Sequence, residues 1–122
     1  MAMKQIKNLH QFLHAISDEK RIRILKMLEK TPMCVCQMRA ILEIKQPTVS
    51  KHIKALKKAG IVMTRKLGQF RVYSLNYDHP YICIWWIIST CMNRNEVEKD
   101  RIKVKRVIKK VQPQIYSRMA IH

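Results

Sequence analysis

Acidic residues are scarce in this chain: 8 Asp and Glu stand against 25 Lys and Arg in 122 residues, a formal charge of +17. Glycine and proline are nearly as sparse, at 2 and 4, which excludes a linker-like or loop-dominated chain. Long apolar runs are missing. The longest, Tyr81 to Met92 (YICIWWIISTCM), falls short of the ~18–20 residues that a membrane span needs. The opening MAMKQIKN lacks the apolar core of a signal peptide, so a cytoplasmic location is expected. There the 4 cysteines would be thiols open to metal or redox chemistry rather than structural bridges. No Gly-rich phosphate loop and no Ser/His/Asp or Cys/His set is present, so neither catalysis nor a small-molecule substrate is expected.

Hydrophobic residues make up 48% of the chain, enough for the core of one domain of this length. The basic excess makes a polyanion the expected partner, because each Lys or Arg set against a phosphate releases condensed counterions. An anionic membrane surface is the competitor. Leu9, Phe12, Leu13 and Ile16 are spaced as one helical face, and Ser17-Asp18 breaks that run and caps a second helix carrying Ile22, Ile24, Leu25 and Leu28. Thr31-Pro32 reads as the start of a third helix with Cys34, Met38, Ile41 and Leu42 in phase. A fourth begins at Gln46-Pro47 and ends at Gly60, a favourable C-cap. Ile61–Lys66 and Phe70–Leu75 then flank Leu67-Gly68-Gln69 as a β-hairpin with a three-residue loop. Tyr81 to Met92 reads as an apolar helix. Beyond it Val97, Val104, Ile108, Val111 and Ile115 keep helical spacing, with Pro113 ending or kinking the run.

Two short helices followed by a hairpin make a winged helix-turn-helix, mainly α with a small β wing and five to six helices per chain. Residues 1–92 would hold it with its dimerisation helices, and 93–122 a basic amphipathic helical extension. In the fourth helix Val49, Ile53 and Leu56 form a buried stripe, while Pro47, Lys51, Lys54 and Lys58 lie opposite. Gln46, Thr48 and Ser50 occupy its first turn, where a recognition helix meets base edges. Arg65, Lys66, Gln69 and Arg71 surround the hairpin tip, and Lys66 and Arg71 are the expected phosphate contacts. His52, at the edge of the stripe, reads as a packing or phosphate-contact residue. The expected partner is double-stranded operator DNA.

The segments HAISDEKRIRILKMLEK, CVCQM, QPTVSKHIKALKKAGIV and RKLGQFRVYSL together resemble the ArsR/SmtB family of metal-responsive repressors over Leu9 to Leu75. The resemblance implies a homodimer that leaves its operator on binding a metal or metalloid. It places the dimer interface on the first and last helices, here Leu9, Phe12, Leu13, Trp85, Trp86 and Ile88. The CVC pair, Cys34 and Cys36, resembles the inducer site of arsenic-sensing members, so the inducer would be arsenite or antimonite, with no constitutive cofactor. Soft thiolates suit such ions, and a helix N-terminus lowers thiol pKa. Residues two apart on a helix diverge by about 200°, so chelation would have to distort the first turn of that helix, and this distortion would be the switch.

Departures from the family narrow the possibilities. Position 39 is Arg39, so the further cysteine of some arsenic sensors is missing. The stretch matching the zinc site of other members reads Tyr77-Asp78-His79 and then Ser89-Thr90-Cys91, so that site is lost. Cys83 and Cys91 are expected as buried packing thiols, with Cys91 the first candidate for a third thiolate. A thiol-based redox or persulfide sensor on the same frame is the alternative; a structural DNA-packaging protein would not need the QPTVSKH helix.

Overall fold

The computed structural model describes residues 2–92, 94–111, 113 and 115. Its elements run α1 (Ala2–Ala15), α2 (Glu19–Lys30), α3 (Val35–Leu42), α4 (Gln46–Lys58), β1 (Val62–Leu67), β2 (Phe70–Leu75), α5 (Ile82–Thr90) and α6 (Arg94–Lys110). Asp18 caps α2 as expected, its carboxylate accepting from the Arg21 N–H at 3.1 Å. Phe12, Ile24, Leu25, Leu28, Met38, Ile41, Val49, Ile53 and Leu56 converge in one apolar core. Burial of each such large side chain contributes about 1.5–3 kcal/mol. Val104 and Val107 of α6 join the same core, so α6 lies along α2 and α3. Among the described residues no helix is long and apolar enough to cross a membrane.

Local signals differ from expectation in three places. Thr31 does not open α3: its extended backbone closes α2, and its N–H returns to the Met27 carbonyl. Between the helices, Met33 instead pairs with Tyr73 of β2, N–H to carbonyl at 3.0 Å and 2.8 Å in the two directions. Helix α3 therefore starts at Val35 with Cys34 as its N-cap. The hairpin turn has two residues, because Leu67 pairs with Phe70 and leaves Gly68-Gln69 between the strands. Gly68 supplies the positive φ, +61°, that such a turn requires. Finally, α5 spans Ile82–Thr90, shorter than the apolar run.

Two left-handed residues set the geometry around the fourth helix. Glu43 closes α3 at φ +58°, a conformation that costs a non-glycine residue about 1–2 kcal/mol. Its carboxylate meets Lys103 Nζ of α6 at 3.2 Å, tying the turn of the helix-turn-helix to that helix. Gly60 closes α4 at φ +78°. Its N–H reaches the Lys57 carbonyl and the next N–H, of Ile61, reaches back to Leu56, the paired bonds of a Schellman stop. The His79 ring lies 3.2 Å from where a Cβ would stand at Gly60.

Candidate nucleic-acid interface and thiol pair

Helix α4 separates its two faces cleanly. Val49, Ile53 and Leu56 are buried, while Gln46, Pro47, Thr48, Ser50, Lys51, Lys54 and Lys58 are exposed. Lys66 and Arg71 pair across the hairpin and are both exposed, so the wing presents its cations beside the helix that would enter the groove. His52 is a half-buried side chain of α4 facing the start of α2. Its Nδ1 has no hydrogen-bond partner and lies 3.8 Å from the Asp18 carboxylate at the start of α2. Desolvation lowers its pKa, and the neighbouring carboxylate opposes that only in part.

The cysteine pair is arranged differently from a pair inside a helix. Cys34 stands outside α3 in extended backbone (φ −90°, ψ 165°), and only Cys36 is helical. This takes the pair out of one regular helix, so the divergence expected of two helical residues does not apply, and the Cys36 side chain acts on the Cys34 thiol. Nor does the helix terminus activate Cys34. Burial pushes its thiol up to about 12, and the Cys36 thiol beside it adds to the rise. In the capping box that starts α3, the Cys34 sulfur faces the Gln37 N–H, and the Cys34 N–H donates to Gln37 Oε1 at 3.0 Å. Sequence reasoning passed over Gln37, although its place three residues after the cap was a readable signal with cysteine standing for Ser or Thr. The buried Gln37 also donates from Nε2 to the Val111 carbonyl at 2.8 Å.

Cys83 and Cys91 are exposed on this chain rather than packed within it. Among the described residues no cluster of three His, Cys, Asp or Glu side chains could hold a metal, so Cys91 does not join the pair here. The six residues expected at a dimer interface also divide. Phe12 and Trp85 are fully enclosed in the single chain, and the Trp85 Nε1 donates to Glu29 Oε1 at 2.9 Å. Leu9 and Ile88 are half-buried, Ile88 against the core. Leu13 and Trp86 remain exposed, together with Ile6, Tyr77 and Ile87. Trp86 stacks on Tyr77, ring centroids 6.0 Å apart.

Comparison with known proteins agrees with this geometry. Residues 18–64 match the family model described as bacterial regulatory protein, arsR family. An uncharacterized HTH-type transcriptional regulator of Methanocaldococcus jannaschii is 42% identical over 77 residues, covering 62% of this chain and 86% of that protein. The arsenical resistance operon repressor of Staphylococcus xylosus is 36% identical over 72 residues, covering 59% and 69% respectively. Among solved structures, the homodimeric winged helix-turn-helix domain of a possible ArsR-family regulator from Mycobacterium bovis superposes with a TM-score of 0.65 at 19% identity, over 73% of this chain and 84% of that one.

Proposed function

Since this chain belongs to the ArsR family of DNA-binding transcriptional regulators, we propose that it is a homodimeric repressor released from its operator by arsenite or antimonite bound at Cys34 and Cys36. The observation that carries the inducer reading is the position of Cys34 as the extended N-cap of α3 with Cys36 in the first turn, outside a single regular helix. The S. xylosus relative, named for arsenical resistance, supports the same chemistry. Operator contact is assigned to Gln46, Thr48 and Ser50 at base edges, with Lys51, Lys54, Lys58, Lys66 and Arg71 on phosphates. Leu13, Trp86, Ile87 and Tyr77 form the apolar face offered to a second copy.

The exchange balances without burying charge. Arsenous acid is uncharged at neutral pH. Two S–As bonds form as two As–OH bonds break, and each departing hydroxide takes one thiol proton and leaves as water. The third hydroxide stays on arsenic. A buried, protonated Cys34 suits this neutral exchange, whereas a divalent cation would have to expel two protons from the same apolar site.

The response has a direct route to the DNA-reading parts. Cys34 follows Met33, whose backbone is bonded to Tyr73 in the wing, and precedes α3, which packs on α4. Because Cys34 already lies outside α3, closing the pair on one ion shifts this junction without unwinding the helix. Arsenite acts only if the DNA-bound form holds it more weakly, and a coupling of about 1–3 kcal/mol gives roughly 5–150-fold release.

The test is titration of an operator-bound sample with arsenite, using wild type, Cys34→Ser/Cys36→Ser and Cys83→Ser/Cys91→Ser. The first double variant should keep operator affinity and lose the response; the second should keep both. Release of the Cys34/Cys36 variant at the wild-type arsenite concentration would place the sensor elsewhere. The exposure of Cys83 and Cys91 favours one second reading, a redox or persulfide response. It requires release by a persulfide donor that Cys83→Ser/Cys91→Ser abolishes.

A further inference from the structure

Ile115 is fully buried although it lies five residues beyond the end of α6. The cluster it enters is separate from the main core. It consists of Cys34, Leu67, Val72 and Ile115, with Cys36 and Phe70 packed at its edge. Leu67 and Phe70 flank the wing turn, so one side chain from beyond α6 is wedged between the thiol pair and the wing. The path that leads there is also fastened. Val111 gives its carbonyl to Gln37 Nε2 at 2.8 Å, while Gln37 Oε1 holds the Cys34 N–H. One buried glutamine thus joins the cysteine cap to the chain that delivers Ile115.

We propose that Ile115 is an apolar plug that decides which molecules reach Cys34, held in place by the Gln37 link to Val111. Resting on the reading of Cys34 and Cys36 as the sensing pair, this makes Ile115 a specificity-determining residue of that site. With the plug seated, Cys34 is 4% exposed and packs against the apolar side chains of Leu67, Val72 and Ile115. A reagent reaches it when Ile115 withdraws, and a strongly hydrated cation gains nothing from the apolar chamber thus opened. Withdrawal also uncovers Leu67 and Val72, so the wing loses packing in the same event.

Alkylation by iodoacetamide, followed residue by residue by mass spectrometry, tests the plug without arsenic. In full-length Ile115→Ala, Cys34 should react about tenfold faster or more, because local opening then needs less free energy. Exposed Cys83 serves as the internal reference and should keep its rate. Gln37→Leu, which removes the link but leaves Ile115, should accelerate Cys34 in the same direction, and Ile115→Leu should restore slow reaction. Operator affinity and melting temperature verify that each variant is folded. Equal Cys34 rates in wild type, Ile115→Ala and Gln37→Leu overturn the plug. A second arm adds sodium arsenite to the operator complexes, where Ile115→Ala should release DNA sooner than wild type. Faster alkylation of Cys34 with no arsenite response in either protein upholds the plug and rejects the arsenite reading.

Discussion

The indole Nε1 of Trp85 donates to Glu29 across the α5–α2 contact at 2.9 Å, and the same carboxylate accepts from Ser89 and pairs with Lys26. Neighbouring tryptophans therefore have opposite duties. Trp85→Ala should cost about 3–5 kcal/mol of stability, read from the denaturation midpoint of the folded chain. Trp86→Glu should leave the fold intact and split the dimer, since a carboxylate would enter an apolar seam. Sedimentation at micromolar concentration should report monomer, with loss of tight operator binding. A Trp86→Glu protein that still sediments as a dimer would exclude this face as the seam.

Operator affinity should fall steeply with salt. A surface making about 6–10 phosphate contacts loses roughly 10³–10⁵-fold between about 50 and 200 mM salt. Lys51→Ala, on the exposed face of α4, should weaken specific binding more than Lys110→Ala does. A flat titration by fluorescence anisotropy contradicts the interface assigned to α4 and the wing.

Alkaline conditions should destabilise the fold through Cys34. Its thiol binds a proton more tightly folded, with a pKa of about 12 against 9.0 for the free side chain. That contribution is complete below the unfolded value and disappears as pH climbs from near 9 toward 12. Cys34→Ala should flatten the fall in melting temperature across this range. An unchanged slope would separate Cys34 from it.

Acid should act through His52. Its folded pKa lies below the 6.5 of a free imidazole, so the unfolded chain takes up the proton first. The stability it provides is present above that pH and declines as pH falls through it toward the folded value. His52→Gln should reduce the loss of stability just below pH 6.5, measured by urea denaturation at several pH values. A variant with the wild-type pH dependence would acquit His52.

The apolar periodicities of α2 and α4 were legible because one face of each meets the core and the other meets solvent, and the lysine face of α4 emerged intact. Recognition of the winged fold and of the family rested on the same segments. The start of α3 was not legible. Thr31-Pro32 has the chemistry of a helix start, but the pairing of Met33 with Tyr73, 40 positions away, holds that stretch extended and moves the cap to Cys34. The cysteine geometry followed that error. For the interface, apolar character alone could not tell Trp85, enclosed by a carboxylate on another helix, from exposed Trp86. Ile115 carried no signal beyond periodicity, since its burial depends on a pocket built by the wing and α3.

The few acidic side chains are largely occupied inside the chain: Asp18 caps α2, Glu29 holds Trp85, Asp100 grips Arg23 at 2.8 Å, and Glu43 and Glu98 pair with Lys103 and Arg101. The formal +17 already includes all 8 carboxylates, so the chain stays strongly positive. Two such chains repel each other as they associate, and dissolved anions relieve that repulsion while they compete with DNA for the same cations. Ionic strength therefore drives assembly and operator capture in opposite directions, so the steep loss of operator affinity with salt is accompanied by a tighter dimer.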